Sequence, residues 1–323
     1  MKALKRISEL LFIGVFSTHV APAQKLPTVS QDTAYVHAVE QALTHLQKGD
    51  CQLCLDSYKK AFQISQNSAL STMRAALCAY RCGREDLART YIDQAITVDY
   101  GIAEDIWFDR QIAPEFDAVR STNMATYVRE AFARKDAALK LNIPLKNELQ
   151  AIYETDQQPR AQIDSLIQKY GNESAQMQQL WQHIHRTDSI NLIRIESIIR
   201  QYGYPGKRLV GPNQSNTAWL IIQHSPLATQ EKYLPLIRKA AEEGEMDKSN
   251  VALLVDRIRM YKGQKQLYGS QIAIDPSGKR HFHPIADEVN VNKRRADMDL
   301  GSIEDYAREN DILYKPVGRK SKK

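Results

Sequence analysis

Beyond its first two dozen residues, this 323-residue sequence has no uninterrupted apolar run approaching the ~18 residues a membrane helix needs. No bilayer-spanning segment is therefore expected in the mature chain. The sequence also lacks H-E-x-x-H, G-x-S-x-G, a phosphate-binding G-x-x-x-x-G-K and a dinucleotide G-x-G-x-x-G. These absences remove the recognisable metalloproteases, serine hydrolases, nucleotide-binding and dinucleotide-dependent enzymes, and no cofactor or metal is expected. Cysteine is scarce: the four are Cys51, Cys54, Cys78 and Cys82, all within one short segment. A cysteine nucleophile elsewhere in the chain is excluded. A charge excess is missing too, once the ends are set aside. The formal +6 includes +2 over residues 1–23 and +4 from Arg319, Lys320, Lys322 and Lys323, leaving a neutral body. A nucleic-acid-binding face is not implied.

The ends have their own signals. Lys2, Lys5 and Arg6 precede an apolar Leu10 to Phe16, and Ala21-Pro22-Ala23 follows as a small-x-small cleavage pattern. That order is the order of a secretory signal peptide over residues 1–23. The mature chain would begin at Gln24, with 24–32 a linker, and be exported as a periplasmic or secreted protein. Residues 315–323 read as a basic, solvated tail.

Residues 33–141 read as a first domain, and residues 33–100 within it contain an internal repeat. Gly49 and Gly83 lie 34 apart, and their flanks superimpose: Ala42 on Ala76, Leu53 on Leu87, Ala61 on Ala95. Small residues at fixed offsets from a turn glycine let paired helices approach, so each repeat reads as a helix-turn-helix unit. It resembles the tetratricopeptide repeat, which implies a protein-binding scaffold without chemistry of its own. Trp107, Phe108, Phe116 and Phe132 would cap a stack of only two repeats.

All four cysteines fall in this repeat. Behind a signal peptide, disulfides compete with free buried thiols and with a four-cysteine zinc site. Across an antiparallel helix pair, facing positions have a nearly constant sum. Cys51 with Cys82 and Cys54 with Cys78 give 133 and 132; the diagonal alternative gives 129 and 136. If disulfides form, the first pairing is expected.

Asn142-Ile143-Pro144 ends the first pattern, and residues 145–314 read as a second, mostly helical domain. Its apolar positions recur at helical spacing until Gln266 to Ile285, which read as two extended segments about a Pro-Ser-Gly turn. The expected fold class is thus mainly α with one small β-hairpin. Within it, three apolar runs end in polar groups: W-L-I-I-Q-H (Trp219 to His224), L-L-V-D-R (Leu253 to Arg257) and G-Q-K-Q-L-Y-G-S-Q (Gly263 to Gln271). Other marks are D-Q-x-x-R (Asp156, Gln157, Arg160), Asn191 and Arg194, Y-G-Y-P (Tyr202 to Pro205) and Gly211. P-I-A-D (Pro284 to Asp287), V-N-K-R-R (Val291 to Arg295) and the Gly301-to-Tyr306 end complete the set. Together these resemble an uncharacterised bacterial domain family of unknown function, often found in secreted or envelope proteins. The resemblance spans about Leu145 to Tyr306; it implies a fold and a candidate pocket but no established reaction.

The candidate site follows from burial. A polar group in an apolar run costs roughly 1–3 kcal/mol unless partnered, so His224, Asp256, Arg257, Asp156 and Arg160 are expected to meet the Gln266–Gln271 segment in one cluster. His224 and the carboxylates Asp256 and Asp156 would be its catalytic groups. Gln157, Arg160, Arg257, Gln266, Tyr268 and Gln271 would bind a ligand, with strand alternation placing Gln266, Tyr268 and Ser270 on one face and Gln271 opposite. Two functions fit. One is an envelope interaction module binding a protein, peptide or glycan. The other is a hydrolase or transferase with His224 as general base, Asp256 or Asp156 orienting it, and Arg160 or Arg257 holding an anion.

Overall fold

A computed structural model describes residues 30, 32–109, 112–275 and 277–315. The proposed signal peptide and most of the basic tail lie outside the described residues. The protein is mainly α with one small antiparallel hairpin among the described residues. The helices of the first half are α1 (Thr33–Lys48), α2 (Cys51–Ile64), α3 (Ala69–Arg81), α4 (Glu85–Val98), α5 (Tyr100–Phe108) and α6 (Asn123–Leu139). Then come α7 (Ile143–Arg160), α8 (Ile163–Tyr170), α9 (Ala175–Tyr202), α10 (Lys207–Val210), α11 (Thr217–His224), α12 (Leu227–Glu242) and α13 (Lys248–Tyr261). The chain ends with the strands β1 (Ile272–Ile274) and β2 (Arg280–Phe282), then α14 (Val291–Ala296) and α15 (Ile303–Glu309).

Two compact units divide the chain. The first comprises residues 30–154 with Ser197–Ala218, the second Thr155–Glu196 with residues 219–315. α7, α9 and α11 contribute residues to both.

In the first unit, Gly49 and Gly83 end α1 and α3 in the left-handed region at φ +83° and +70°, a conformation glycine adopts without a Cβ penalty. The two turns use the same bonds, 34 residues apart. Gly49 N–H donates to Leu46 and Asp50 N–H to His45, as Gly83 N–H donates to Tyr80 and Arg84 N–H to Ala79. Small buried residues (Ala42, Ala76, Ala88 and Ala95) line the helix contacts, and Trp107, Phe116 and Phe132 join the same core, while Ala61 packs with Tyr35 and Ala38. Buried charges enter the unit as a pair, Lys146 with Glu104. Lys146 Nζ donates to Glu104 at 2.6 Å and Asp136 at 3.1 Å.

The cysteines are joined as Cys51–Cys82 and Cys54–Cys78, with Cα separations of 5.5 and 6.0 Å. They bridge the start of α2 to the end of α3, one turn apart. No thiol remains free among the described residues, so the sulfurs do not form a zinc site. In the chain-entropy account each cross-link taken singly is worth about 2–4 kcal/mol. Full reduction should therefore lower the melting temperature of the first unit, as scanning calorimetry with and without reductant would record.

The second unit packs Ile163, Met177, Leu180 and Ile184 in one cluster and Ile285, Val291 and Ile303 in another. Its hairpin pairs Ile272 with Phe282 and Ile274 with Arg280. Asp275 closes the turn by accepting from Ser277 and Lys279 N–H at 2.9 and 3.0 Å.

Candidate functional site

Two helices bring carboxylates into the second unit by the same device. On α7, Leu149, Ile152, Asp156 and Arg160 follow at helical spacing and all are buried. On α9, Ile184, Asp188, Asn191 and Ile195 do likewise, with Asp188 half-buried and the others buried. In each case polar groups interrupt an apolar stripe, so they must find partners there.

Arg160 supplies the partner. Its Nη1 donates to Asp156 Oδ1 at 2.9 Å and to the Asp156 carbonyl at 2.8 Å. Its Nη2 donates to both oxygens of Asp188 at 2.7 and 2.9 Å. Gln157 Nε2 donates to the other Asp156 oxygen at 2.7 Å. His224, the last residue of α11, completes the set with Nδ1 at 3.1 Å from Asp156 Oδ1. An oxygen that accepts from a guanidinium accepts from the imidazole as well, so Nδ1 carries the hydrogen and Nε2 the lone pair. None of the described residues hydrogen-bonds Nε2, and the imidazole side chain is 15 % exposed.

Burial lowers the His224 pKa below its ordinary 6.5, more than the Asp156 hydrogen bond raises it; Arg160 and Arg257 push the same way as burial. The imidazole is therefore neutral near pH 7. For Asp188, burial raises the carboxyl against the pull of Arg160.

Arg257 has a different post. Its Nη1 donates to the Gln223 carbonyl at 3.1 Å, and Gln230 Nε2 donates to the Gln223 and Ser225 carbonyls at 3.1 and 2.8 Å. These are the open carbonyls at the end of α11, where a cation also meets the negative end of the helix dipole. Arg257 thus helps fix the turn that carries His224.

Asp256 faces elsewhere. Its carboxylate is wholly buried and accepts from the N–H of Leu267 at 2.6 Å, Tyr268 at 3.1 Å and Ser270 at 3.1 Å. It also takes the Ser270 hydroxyl at 3.0 Å. Residues 267–270 therefore wrap around a carboxylate rather than running as a strand, which corrects the expected alternation of Gln266, Tyr268 and Ser270 on a strand face. The N–H groups a strand would offer to a neighbour are turned onto Asp256, and β1 begins only at Ile272. Gly269 sits there at φ +69°, where a Cβ would lie 2.5 Å from Ile303 Cδ1. Its freedom serves packing against Ile303.

Gln266 is fully buried. Its Nε2 donates to the carbonyls of His283 at 2.7 Å and Gln271 at 3.1 Å, and its Oε1 accepts from Gln271 N–H at 2.8 Å. Gln271 Nε2 donates to Ser270 Oγ at 3.0 Å. Arg294 Nε holds the Leu267 carbonyl at 2.8 Å and Arg295 Nη1 the Tyr268 carbonyl at 2.7 Å. These bonds lock the loop; they are architectural.

The hydrogen bonds thus join His224, Asp156, Gln157, Arg160 and Asp188 in one set. They join Asp256, Gln266, Tyr268, Ser270 and Gln271 in another. Asp188 is the member that sequence reasoning missed. Its signal was available, since Asp188 and Asn191 break the Ile184–Ile195 stripe as Asp156 breaks that of α7. Single ligand atoms of Asp156, Asp188 and His224 lie within 4.8 Å of one another, the one such group among the described residues. They could hold a cation, but Arg160 already donates to both carboxylates and a metal ion would have to displace it.

The neutral imidazole gives a pH dependence with a definite sign. The unfolded chain binds a proton below about pH 6.5, whereas folded His224 does so only at lower pH. Stability contributed by neutral His224 is fully present above pH 6.5 and is lost progressively as pH falls from there through the lower folded pKa. Asp188, with its folded pKa raised, changes stability in the opposite sense. Comparing wild type with His224→Gln isolates the histidine. Thermal shift from pH 7.5 to 5.5 should show a steeper loss in wild type; parallel curves would contradict it.

The sequence model of one protein family, described as Family of unknown function (DUF6624), matches residues 143–320. No curated protein and no solved structure matches the chain.

Proposed function

We propose a ligand-binding role from the premise that this chain belongs to the Family of unknown function (DUF6624), whose model matches residues 143–320. The protein is an exported envelope protein, cleaved after Ala23. Its segment 33–141 is a tetratricopeptide-like scaffold that docks a protein partner, and segment 145–314 binds a peptide or glycan of the envelope. Two disulfides support export, because such bonds persist in oxidising compartments. Intact Met1–Ala23 on protein recovered from its native host would overturn the export reading.

One observation carries the binding site: His224 commits Nδ1 to Asp156, and Nε2 has no hydrogen-bond partner among the described residues. Behind it, Arg160 pairs with both carboxylates, Asp156 and Asp188. A ligand hydroxyl or amide N–H would donate to Nε2. Asp156 and Gln157 orient the ring from behind, and Arg257 fixes the α11 turn. Gln266, Tyr268 and Gln271, with Asp256, belong to the separate set that locks the 266–271 loop.

The same dyad favours a second reading, a hydrolase or transferase with His224 as general base. A neutral imidazole oriented through Nδ1 by a carboxylate is the form a base requires. Asp156, rather than Asp256, would be its orienting partner.

Diethyl pyrocarbonate acylates an accessible neutral imidazole nitrogen and tests the open Nε2 without a known ligand. Peptide mapping should find His224 acylated in the folded protein at pH 7, with the melting temperature little changed. A His224 that reacts only after unfolding would make the set a closed structural network. Soluble envelope glycan and peptide fragments then separate the two functions. Reversible shifts of the His224 ring signals in NMR mark binding; new product signals mark catalysis.

A further inference from the structure

The two disulfides differ in their surroundings. Cys54 and Cys78 are both 0 % exposed, within the core of the first unit. Cys51 and Cys82 are half-buried, with exposed Gln52, Leu53, Arg81 and Gly83 beside them. Cys51 is also the first residue of the 14-residue helix α2, while Cys82 caps the end of α3. With the inner bond in place, the outer one closes a ring of only a few residues on each helix. The inner bond restrains the chain; the outer one adds less.

We propose that Cys51–Cys82 is a thiol–disulfide exchange site, with Cys54–Cys78 as the fixed staple beneath it. The substrate is a thiolate, from a small-molecule thiol or from a cysteine pair of a partner protein. The incoming thiolate attacks Cys82 Sγ and forms a mixed disulfide. The Cys51–Cys82 bond breaks, and its electron pair leaves on Cys51. A second thiol of the substrate then attacks the substrate sulfur of the mixed disulfide, releasing Cys82 as thiolate. The substrate leaves oxidised by two electrons, and Cys51 and Cys82 remain as a dithiol after taking up protons.

Cys51 is the better leaving group because it stands at the positive end of α2. Asp50 has no side-chain bond to the α2 amides. Arg84 reaches over the first turn, donating to Gln52 Oε1 at 3.1 Å. The opposing charges are Asp50, whose carboxylate lies 3.8 Å from His45 Nδ1, and Asp56, which Gln52 donates to. Arg81 is held by the Leu46 carbonyl at 3.0 Å.

The test uses the oxidised full-length protein. It is incubated in glutathione buffers of graded reducing strength, quenched with iodoacetamide and mapped by peptide mass. Cys51 and Cys82 should be alkylated together, about tenfold or more faster than Cys54 and Cys78, with the melting transition retained. A parallel arm offers a reduced two-cysteine peptide; faster exchange with it than with glutathione at equal thiol marks a protein partner as the source. Alkylation rate against pH should place the freed Cys51 below the ordinary ~8.5. Simultaneous reduction of both pairs, reduction only on unfolding, or a Cys51 that titrates at or above that value would overturn the proposal.

Discussion

Arg160→Ala should destabilise the second unit by about 3–5 kcal/mol, the range for removing one partner of a buried charged set. Arg160 donates to Asp156, which has no exposed surface, and to both oxygens of Asp188. Without the guanidinium, Asp156 keeps only the neutral imidazole and Gln157, and Asp188 loses both bonds to its carboxylate. Loss of a charge from the surface would cost under ~1 kcal/mol, so the magnitude distinguishes the two situations. Adding Asp188→Asn to Arg160→Ala should recover part of the loss, because one uncompensated charge is removed. Urea denaturation of the four proteins closes the cycle. Additive losses would show that Arg160 and Asp188 are not coupled.

The second large effect belongs to Asp256. Asp256→Ala removes the acceptor for three backbone N–H groups and one hydroxyl at once. Each buried donor left unmet costs roughly 1–3 kcal/mol, and local relaxation recovers some of it. A net loss on the order of 3–5 kcal/mol is expected. Hydrogen exchange should report it locally: the amides of Leu267, Tyr268 and Ser270 lose protection, whereas the α9 amides near Asp188 do not. Unchanged exchange at 267–270 would mean that the loop is held by Arg294, Arg295 and Gln266 alone. A structural Asp256 also predicts that this variant leaves diethyl pyrocarbonate reactivity at His224 intact.

Much of this was legible in the residues. Gly49 and Gly83 marked two turns because no other residue takes φ near +80° cheaply, and the cysteine numbers marked facing turns of antiparallel helices. Pro-Ser-Gly marked the hairpin. The polar groups set into apolar runs marked Asp156, Arg160 and His224, which do meet. What periodicity could not show was direction. Asp256 and Arg257 are neighbours in sequence, yet successive residues on a helix point about 100° apart. One faces the 266–271 loop and the other the end of α11. Nor could alternation reveal that 267–270 folds around a carboxylate, since what diverts it is the bonding of its N–H groups to Asp256, which the side-chain pattern does not record. The isoleucines of α9 were too many for one stripe: Ile184 and Ile195 are buried, while Ile193 is 69 % exposed. Against that surplus of apolar residues, the break at Asp188 and Asn191 was easy to overlook.

The open Nε2 of His224 is the centre of the functional proposal, and long-range proton–nitrogen NMR of the 15N-labelled protein tests it most directly. The spectrum distinguishes the two neutral tautomers and the cation at each pH. The predicted result is a neutral His224 protonated on Nδ1 at pH 7, with a pKa below 6.5 and a shift in tautomer balance in Asp156→Asn. Protonation on Nε2, or titration at or above 6.5, would contradict it.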